Sequence, residues 1–310
     1  MITGGVEARP ARDILSLAVL AGILKSRLVP RPLRIVLLLG LLTACAVAQV
    51  QFQVLDREVI EARLEGFSRK NDEREAILKQ MFVQSGCKDD KLSEQTVKKK
   101  LPPNLICVLP GDTNAIILVG AHSDHVEVGD GVVDNWSGAS LLPSLYYSLS
   151  KVPRKHTFVF VNFTAEEKGL VGSDFYAGKL SPEQRSKIEA MINMDTLGLG
   201  PTEVWATHAD TTLLNALAGV ANAMKLPVSV MNVDQVGSSD SESFAKYKIP
   251  RITIHSVTQQ TWPILHSSKD KLNEIKKDDY YASYRLMIGY LAFLDTDLGR
   301  PATAQANTGH

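Results

Sequence analysis

Three stretches of this chain are nearly unbroken apolar runs that end at a histidine or a carboxylate. Ala115–Val119 leads into Gly120-Ala121-His122, His156–Phe163 leads into Glu166-Glu167, and Ala190–Asp195 closes on its own carboxylate. A strand covered on both faces reads as a continuous apolar run, the mark of a parallel sheet with helices on either side. In such sheets the carboxyl ends of the strands share one crevice, so residues just past those ends converge there. The pattern confines the chain to an α/β fold, one domain with a mixed, largely parallel sheet between helices. Its expected extent is residues 49–302, with a disordered tail at 303–310.

The first run opens into Gly120–Gly138, GAHSDHVEVGDGVVDNWSG, a loop too glycine-rich to be a helix. His122 offers a neutral imidazole nitrogen, a good ligand for a borderline cation such as zinc. Asp124 is placed to accept the other ring N–H and so fix the tautomer. Asp134 has two carboxylate oxygens and can bridge two cations. A helix is expected from near Trp136 to Ser150. After the second run, Glu166 and Glu167 are adjacent, and neighbouring side chains in an extended segment point opposite ways. One glutamate would then face a metal and the other the substrate space, with a charged helix cap as the plainer reading. Asp195 is followed by Gly198 and Gly200, and a late histidine, His266, lies in WPILHSSKD before the helical stretch Asp278–Leu294.

The 310 residues suffice for one large or two ordinary domains. Lys and Arg total 34, as do Asp and Glu, so no general electrostatic case for nucleic acid exists. The three cysteines, Cys45, Cys87 and Cys107, form no CxxC pair, and a structural Cys-type zinc site is not expected. Residues 1–48 read as an export segment: Arg31 and Arg34 precede IVLLLGLL, and Leu42-Thr43-Ala44-Cys45 resembles the lipobox of lipoproteins, which would lipidate Cys45. Cleavage after Ala46-Val47-Ala48 and an uncleaved anchor are the alternatives. All three put the protein outside the cytoplasm, in the periplasm, on the outer membrane as a lipoprotein, or secreted, with the membrane contacted only through the lipid. The long stretch ahead of this signal suggests a translation start nearer Leu28 or Val29.

Between Gln49 and Gly86, apolar residues at helical spacing predict two helices split around Arg69–Asp72. Cys87 ends this lead-in and Cys107 lies in the apolar strand Asn104–Leu109. In an exported protein they either pair or remain two buried thiols. Lys98-Lys99-Lys100 reads as a solvated turn.

Taken together, the stations resemble the M28 family of zinc aminopeptidases. The family's H-x-D is His122-Ser123-Asp124, its D-N-x-S-G is Asp134–Gly138, its E-E pair is Glu166-Glu167, its M-D-x-x-G is Met194–Gly198, and its late histidine is His266. The resemblance covers roughly Asn104–Asp295. It implies that His122, Asp134 and Asp195 hold one metal and Asp134, Glu167 and His266 a second, that Glu166 is the general base, and that Asp124 supports His122. It implies zinc, with two sites expected and one as the alternative, and peptide substrates with a free N-terminus. The run Glu167–Ser173 is similar to the aminopeptidase branch. Gly237-Ser238-Ser239-Asp240 is similar to a further family element, so Ser239, Asp240 and Phe244 are candidate substrate contacts, although Ser241 stands where the family usually has histidine and Lys248 where it often has glycine.

Two other readings stand beside this one. Glutaminyl cyclases resemble the same family and keep most of these ligands around a single zinc. A binding ectodomain with a decayed peptidase fold would be expected to lose ligands or base, and this chain keeps them all. Of the other histidines, His125 reads as a rim residue, His255 as structural, and His156 and His208 have no assigned partner. The oligomeric state is not encoded in any feature of the sequence.

Overall fold

The computed structural model describes residues 50–235 and 237–299. The export segment with Cys45 and the C-terminal tail lie outside these residues. Two helices come first, α1 (Arg57–Glu65) and α2 (Asn71–Gln84). Their break falls at Gly66–Lys70, slightly ahead of the expected one. Ile60 and Leu64 of α1 and Leu78 and Phe82 of α2 are buried, each pair one helical turn apart. Beyond α2, Cys87 is bonded to Cys107 (S–S 2.01 Å), fastening the helical lead-in to the sheet.

The strands β1 (Leu92–Gln95), β2 (Asn104–Leu109) and β3 (Ile116–His122) lead to α3 (Leu142–Ser150) and β4 (Thr157–Phe163). Then follow α4 (Val171–Lys179), α5 (Pro182–Ser186), β5 (Ile188–Met194), β6 (Thr202–Val204) and α6 (Thr211–Met224). The chain continues with β7 (Val228–Val230), α7 (Glu242–Ala245), β8 (Arg251–His255) and α8 (Lys277–Asp297). All eight strands join one sheet in the order β1-β2-β4-β3-β5-β8-β6-β7. Its centre, β4-β3-β5-β8, is wholly parallel, while β2 and β6 flank it antiparallel. The mixed, largely parallel α/β sheet is therefore as the sequence implies.

The unbroken apolar run of β4 follows from burial on two sides. Phe158 and Phe160 stack on one face, where Tyr146 of α3 meets Phe160 edge-on. Val159, Val161 and Phe163 face the other way, into a cluster with Tyr176 and Phe244 from α4 and α7. The short strands β1, β6 and β7 were not anticipated. β1 and β7 are largely exposed and β6 spans three residues, too little for a period to show. The helix expected from Trp136 begins as a single turn, Ser137–Ala139, and resumes as α3. Just upstream, Asp134 and Asn135 have non-helical backbone angles and share a cis peptide bond. Among the described residues, no helix is long and apolar enough to cross a membrane.

Candidate active site

The four central strands end side by side, and each delivers part of one site. His122 is the last residue of β3, Glu166 and Glu167 follow β4, Asp195 follows β5, and His266 lies in the loop after β8. They line a cavity of about 390 Å³ together with Asp134. Asp134 sits between the imidazoles: its Oδ1 is 3.4 Å from His122 Nε2 and its Oδ2 3.3 Å from His266 Nε2. On the His122 side, Asp195 Oδ1 is 3.6 Å and Glu166 Oε2 3.8 Å from the same Nε2. On the other side, Glu167 Oε2 is 3.0 Å from His266 Nε2.

These spacings fit cation binding. A tetrahedral ion with ligands about 2.0–2.2 Å away sets its donors roughly 3.3–3.6 Å apart. His122 with Asp195 meets that spacing, as does Asp134 toward each imidazole, while Glu167 and His266 sit closer, at hydrogen-bond distance, and would open slightly around an ion. Glu167 Oε1 is buried without a hydrogen-bond partner among the described residues, an expensive arrangement that a cation would relieve. Clusters of His122 with Glu166 and Asp195, and of Asp134 with Glu167 and His266, each bring donor atoms within 4.8 Å of one another.

The electrostatics follow from burying four carboxylates beside two imidazoles. Burial pushes Glu166 up to about 10; neighbouring His122 opposes this, while Asp240, Asp195 and Asp134 add to it. Burial likewise raises Glu167. Burial works against charge on Asp134, but hydrogen bonds from His122 and His266 hold it well below the usual carboxylate range. Hydrogen bonds to Asp134 and then Glu167 raise His266 to about 10. Burial disfavours a charged His122, yet Glu166, Asp124, Asp134 and Asp195 together hold it well above its ordinary value. Within the protein the imidazoles are the counter-charges of the carboxylates.

The local sequence explains how these groups are held. Asn135 Oδ1 accepts from Gly138 N and Thr196 N, and its amide donates to Met194 O at 2.9 Å. Ser137 Oγ donates to Val133 O and accepts from Leu197 N. The Asp134–Gly138 segment is thereby stitched to the residues around Asp195. Gly138 permits that contact, because a Cβ there would sit 2.5 Å from Met194 O. Asp270, four residues past His266, accepts from Val133 N (2.7 Å) and Asp134 N (3.1 Å), tying the late loop to the early one. The roles of Asn135, Ser137 and Asp270 are not legible in the sequence, since hydrogen bonds to backbone groups leave no periodic signal.

Several expectations need correction. Asp124 does not reach His122 mainly through its carboxylate, which is 3.7 Å from Nδ1; its main-chain oxygen, at 3.1 Å, is the nearer acceptor. The carboxylate instead accepts from the amides of Glu166 (3.1 Å) and Glu167 (3.3 Å). The two glutamates are not in an extended segment but in a 3₁₀ turn, entered through Ala165 at φ 54°. Both therefore point into the cluster, each toward a different imidazole. Ser239 lines the cavity but donates to Asp195 Oδ2 at 2.6 Å and accepts from Asn193 at 2.6 Å, so it orients a cluster carboxylate. Asp240 is fully buried, away from the cavity wall, and burial raises it to about 7. Phe244 is fully buried against Phe163 and Tyr176, a core residue and not a substrate contact.

His125 is no rim residue: it is buried, with Nε2 3.0 Å from Arg69 O. His255 has the structural bonds expected of it, to Met231 O and from Val257 N, and burial lowers it to about 4. His156 is buried between Asp295 and Glu189, and His208 is paired with Asp234 and Glu242 and stacked on Trp205. The apolar part of the cavity wall, Trp205, Val257, Trp262 and Leu265, was not foreseen as such.

The model of Peptidase family M28 matches residues 104–291. Aminopeptidase YwaD of Bacillus subtilis (strain 168) is 30% identical over 175 residues, covering 53% of this chain and 37% of that protein. The chain thus spans little more than a third of that relative. Among solved structures, LapA aminopeptidase of Legionella pneumophila superposes with a TM-score of 0.65 at 24% identity, over 78% of this chain and 71% of that one. An Acidobacteriales bacterium glutaminyl cyclase superposes with a TM-score of 0.60 at 18% identity, over 77% of this chain and 93% of that one. At those identities the superpositions speak for the fold. The family model spans more than half of the chain and covers all the strand-end stations that build the carboxylate and imidazole cluster, and on that ground the chain belongs to peptidase family M28.

Proposed function

We propose that this chain is a zinc-dependent aminopeptidase whose catalytic unit is residues 49–302. The observation that carries the reading is Asp134, with one oxygen toward His122 and the other toward His266. His122, Asp134 and Asp195 would hold one zinc, and Asp134, Glu167 and His266 a second. When bound, zinc supplies Lewis acidity, polarising the scissile carbonyl and making water acidic enough to lose a proton near neutrality.

Glu166 is the general base. It is largely buried on the His122 side of the cavity, close enough to the cluster to take a proton from the attacking water and return it to the leaving amine. With cations held beside it, its carboxyl would titrate lower, toward the range where such shuttling is efficient. Asp124 braces the turn by accepting from the Glu166 and Glu167 amides. A substrate's free α-amine would approach the carboxylates that line the cavity, Glu166 among them, which favours trimming from the N-terminus. The apolar wall of Trp205, Val257, Trp262 and Leu265 receives the N-terminal side chain.

The same ligand set would serve a glutaminyl cyclase, and the run Glu166-Glu167-Lys168-Gly169-Leu170-Val171-Gly172-Ser173 supports the peptidase. Assay of the purified protein on aminoacyl-anilides and on glutaminyl peptides separates the two. Hydrolysis that is lost on chelation and restored by zinc is expected; cyclisation without hydrolysis would overturn the reading. The same proposal places the protein outside the cytoplasm, by lipidation of Cys45 or by a cleaved signal, and the Cys87–Cys107 bond supports an oxidising compartment.

A further inference from the structure

We propose that Arg74, on α2 and outside the family-matched span, is the positioning residue that sets the distance between the two limbs of the loop carrying His122 and Asp134. Arg74 is fully buried, an unusual place for a guanidinium, and it makes no ion pair among the described residues. Its donors go to main-chain oxygens instead. Nε donates to Ser68 O (2.6 Å), Nη2 to Asp130 O, and Nη1 to both Ser123 O (2.7 Å) and Gly131 O (3.0 Å). Ser123 lies between His122 and Asp124, and Gly131 lies three residues before Asp134. One nitrogen therefore ties the outgoing limb of the loop to the returning limb.

The surroundings are built for this clamp. The guanidinium lies over the Trp136 ring at 5.7 Å, which fixes its plane. Asn71 exchanges side-chain hydrogen bonds with both the N–H and the C=O of His125, and Arg69 pairs with Asp130 at 2.9 Å. Gly131 adopts φ 57°, and a Cβ there would fall 2.2 Å from the His125 side chain, so the returning limb is folded tightly against the outgoing one. The acceptors are three loop carbonyls, and the guanidinium meets them with several donors held in one rigid fork. Lysine offers the charge without the fork.

This inference rests on the metal-site reading above and not on which reaction the site performs. The test compares full-length Arg74→Met and Arg74→Lys with Leu78→Ala, a substitution at a fully buried apolar position of the same helix. Hydrogen exchange over residues 123–134 after zinc removal reads the loop itself, and zinc affinity from chelator competition reads its consequence. Arg74→Met should speed exchange across 123–134 and weaken zinc binding about 10- to 100-fold, the range seen when a ligand's supporting contact is removed. Arg74→Lys should recover part of both. At a temperature where all variants are folded, Leu78→Ala should leave both at wild-type values. Unchanged exchange in both Arg74 variants, or an equal effect from Leu78→Ala, would overturn the inference. A wild-type protein inert toward aminoacyl-anilides would count against the proposed reaction while leaving both readouts of the clamp intact.

Discussion

Replacing Ser239 with alanine should weaken metal binding, not substrate binding. The hydroxyl lies 2.6 Å from Asp195 Oδ2 and 2.6 Å from the Asn193 amide, and it is buried. Its only proton goes to Asp195, so none is left to donate to a substrate. A hydrogen bond to a charged group contributes about 1.5–3 kcal/mol. Its loss frees Asp195 to rotate away from the donor set it shares with His122, and it strands the Asn193 amide. At about 1.4 kcal/mol per factor of ten, zinc affinity should fall roughly 10- to 100-fold. Zinc titration against a chromogenic chelator measures this, and kcat and KM at saturating zinc complete the assay. KM should stay near the wild-type value while zinc affinity drops. Unchanged zinc affinity with a raised KM would refute the reasoning and return Ser239 to the substrate-contact role that the linear motif suggests.

Two further predictions concern residues away from the chemistry. Phe244→Ala should cost about 3–5 kcal/mol of stability as a buried aromatic truncation, read as a lower urea midpoint, with KM unchanged below the unfolding range. For His156, burial disfavours the charge, but hydrogen bonds to Asp295 and Glu189 raise its pKa in the folded state, while Asp295 is lowered, burial opposing and His156 favouring its ionised form. A raised histidine contributes stability below its unfolded pKa of about 6.5 and loses it as pH rises through the folded value; a lowered aspartate contributes above about 3.9 and loses it as pH falls. His156→Gln should therefore lose most stability, relative to wild type, near pH 5–6 and progressively less at higher pH, as urea unfolding at several pH values would show.

The parts of this molecule that were legible in the sequence are those that repeat a physical pattern. β3, β4 and β5 announce themselves as apolar runs because both of their faces are covered, and the residues following them converge because parallel strands end at one edge. β1 and β7 sit at the sheet's edges with half-exposed side chains, and no pattern distinguishes them from loops. Ser239, Asp240 and Phe244 show the limit of reading a motif linearly. They are close in sequence, yet the turn into α7 sends Ser239 to Asp195, buries Asp240 and drives Phe244 into the core. Glu166 and Glu167 were expected to point opposite ways from an extended segment; the turn that aims each at a different imidazole is not legible, because the left-handed Ala165 that starts it carries no residue-type signal. Asp270 and Arg74 act on backbone atoms, whose positions only the fold supplies.

The claim that Glu166 moves the proton while Asp134 joins two zinc positions is tested most directly by Glu166→Gln, a change that keeps size and removes the base. Zinc content and hydrolysis of an aminoacyl-anilide should be measured on the same preparation. The account predicts wild-type zinc stoichiometry with kcat reduced about 10²- to 10⁴-fold, the usual contribution of a positioned general base. A Glu166→Gln protein that binds zinc normally and hydrolyses the anilide at the wild-type rate would contradict it.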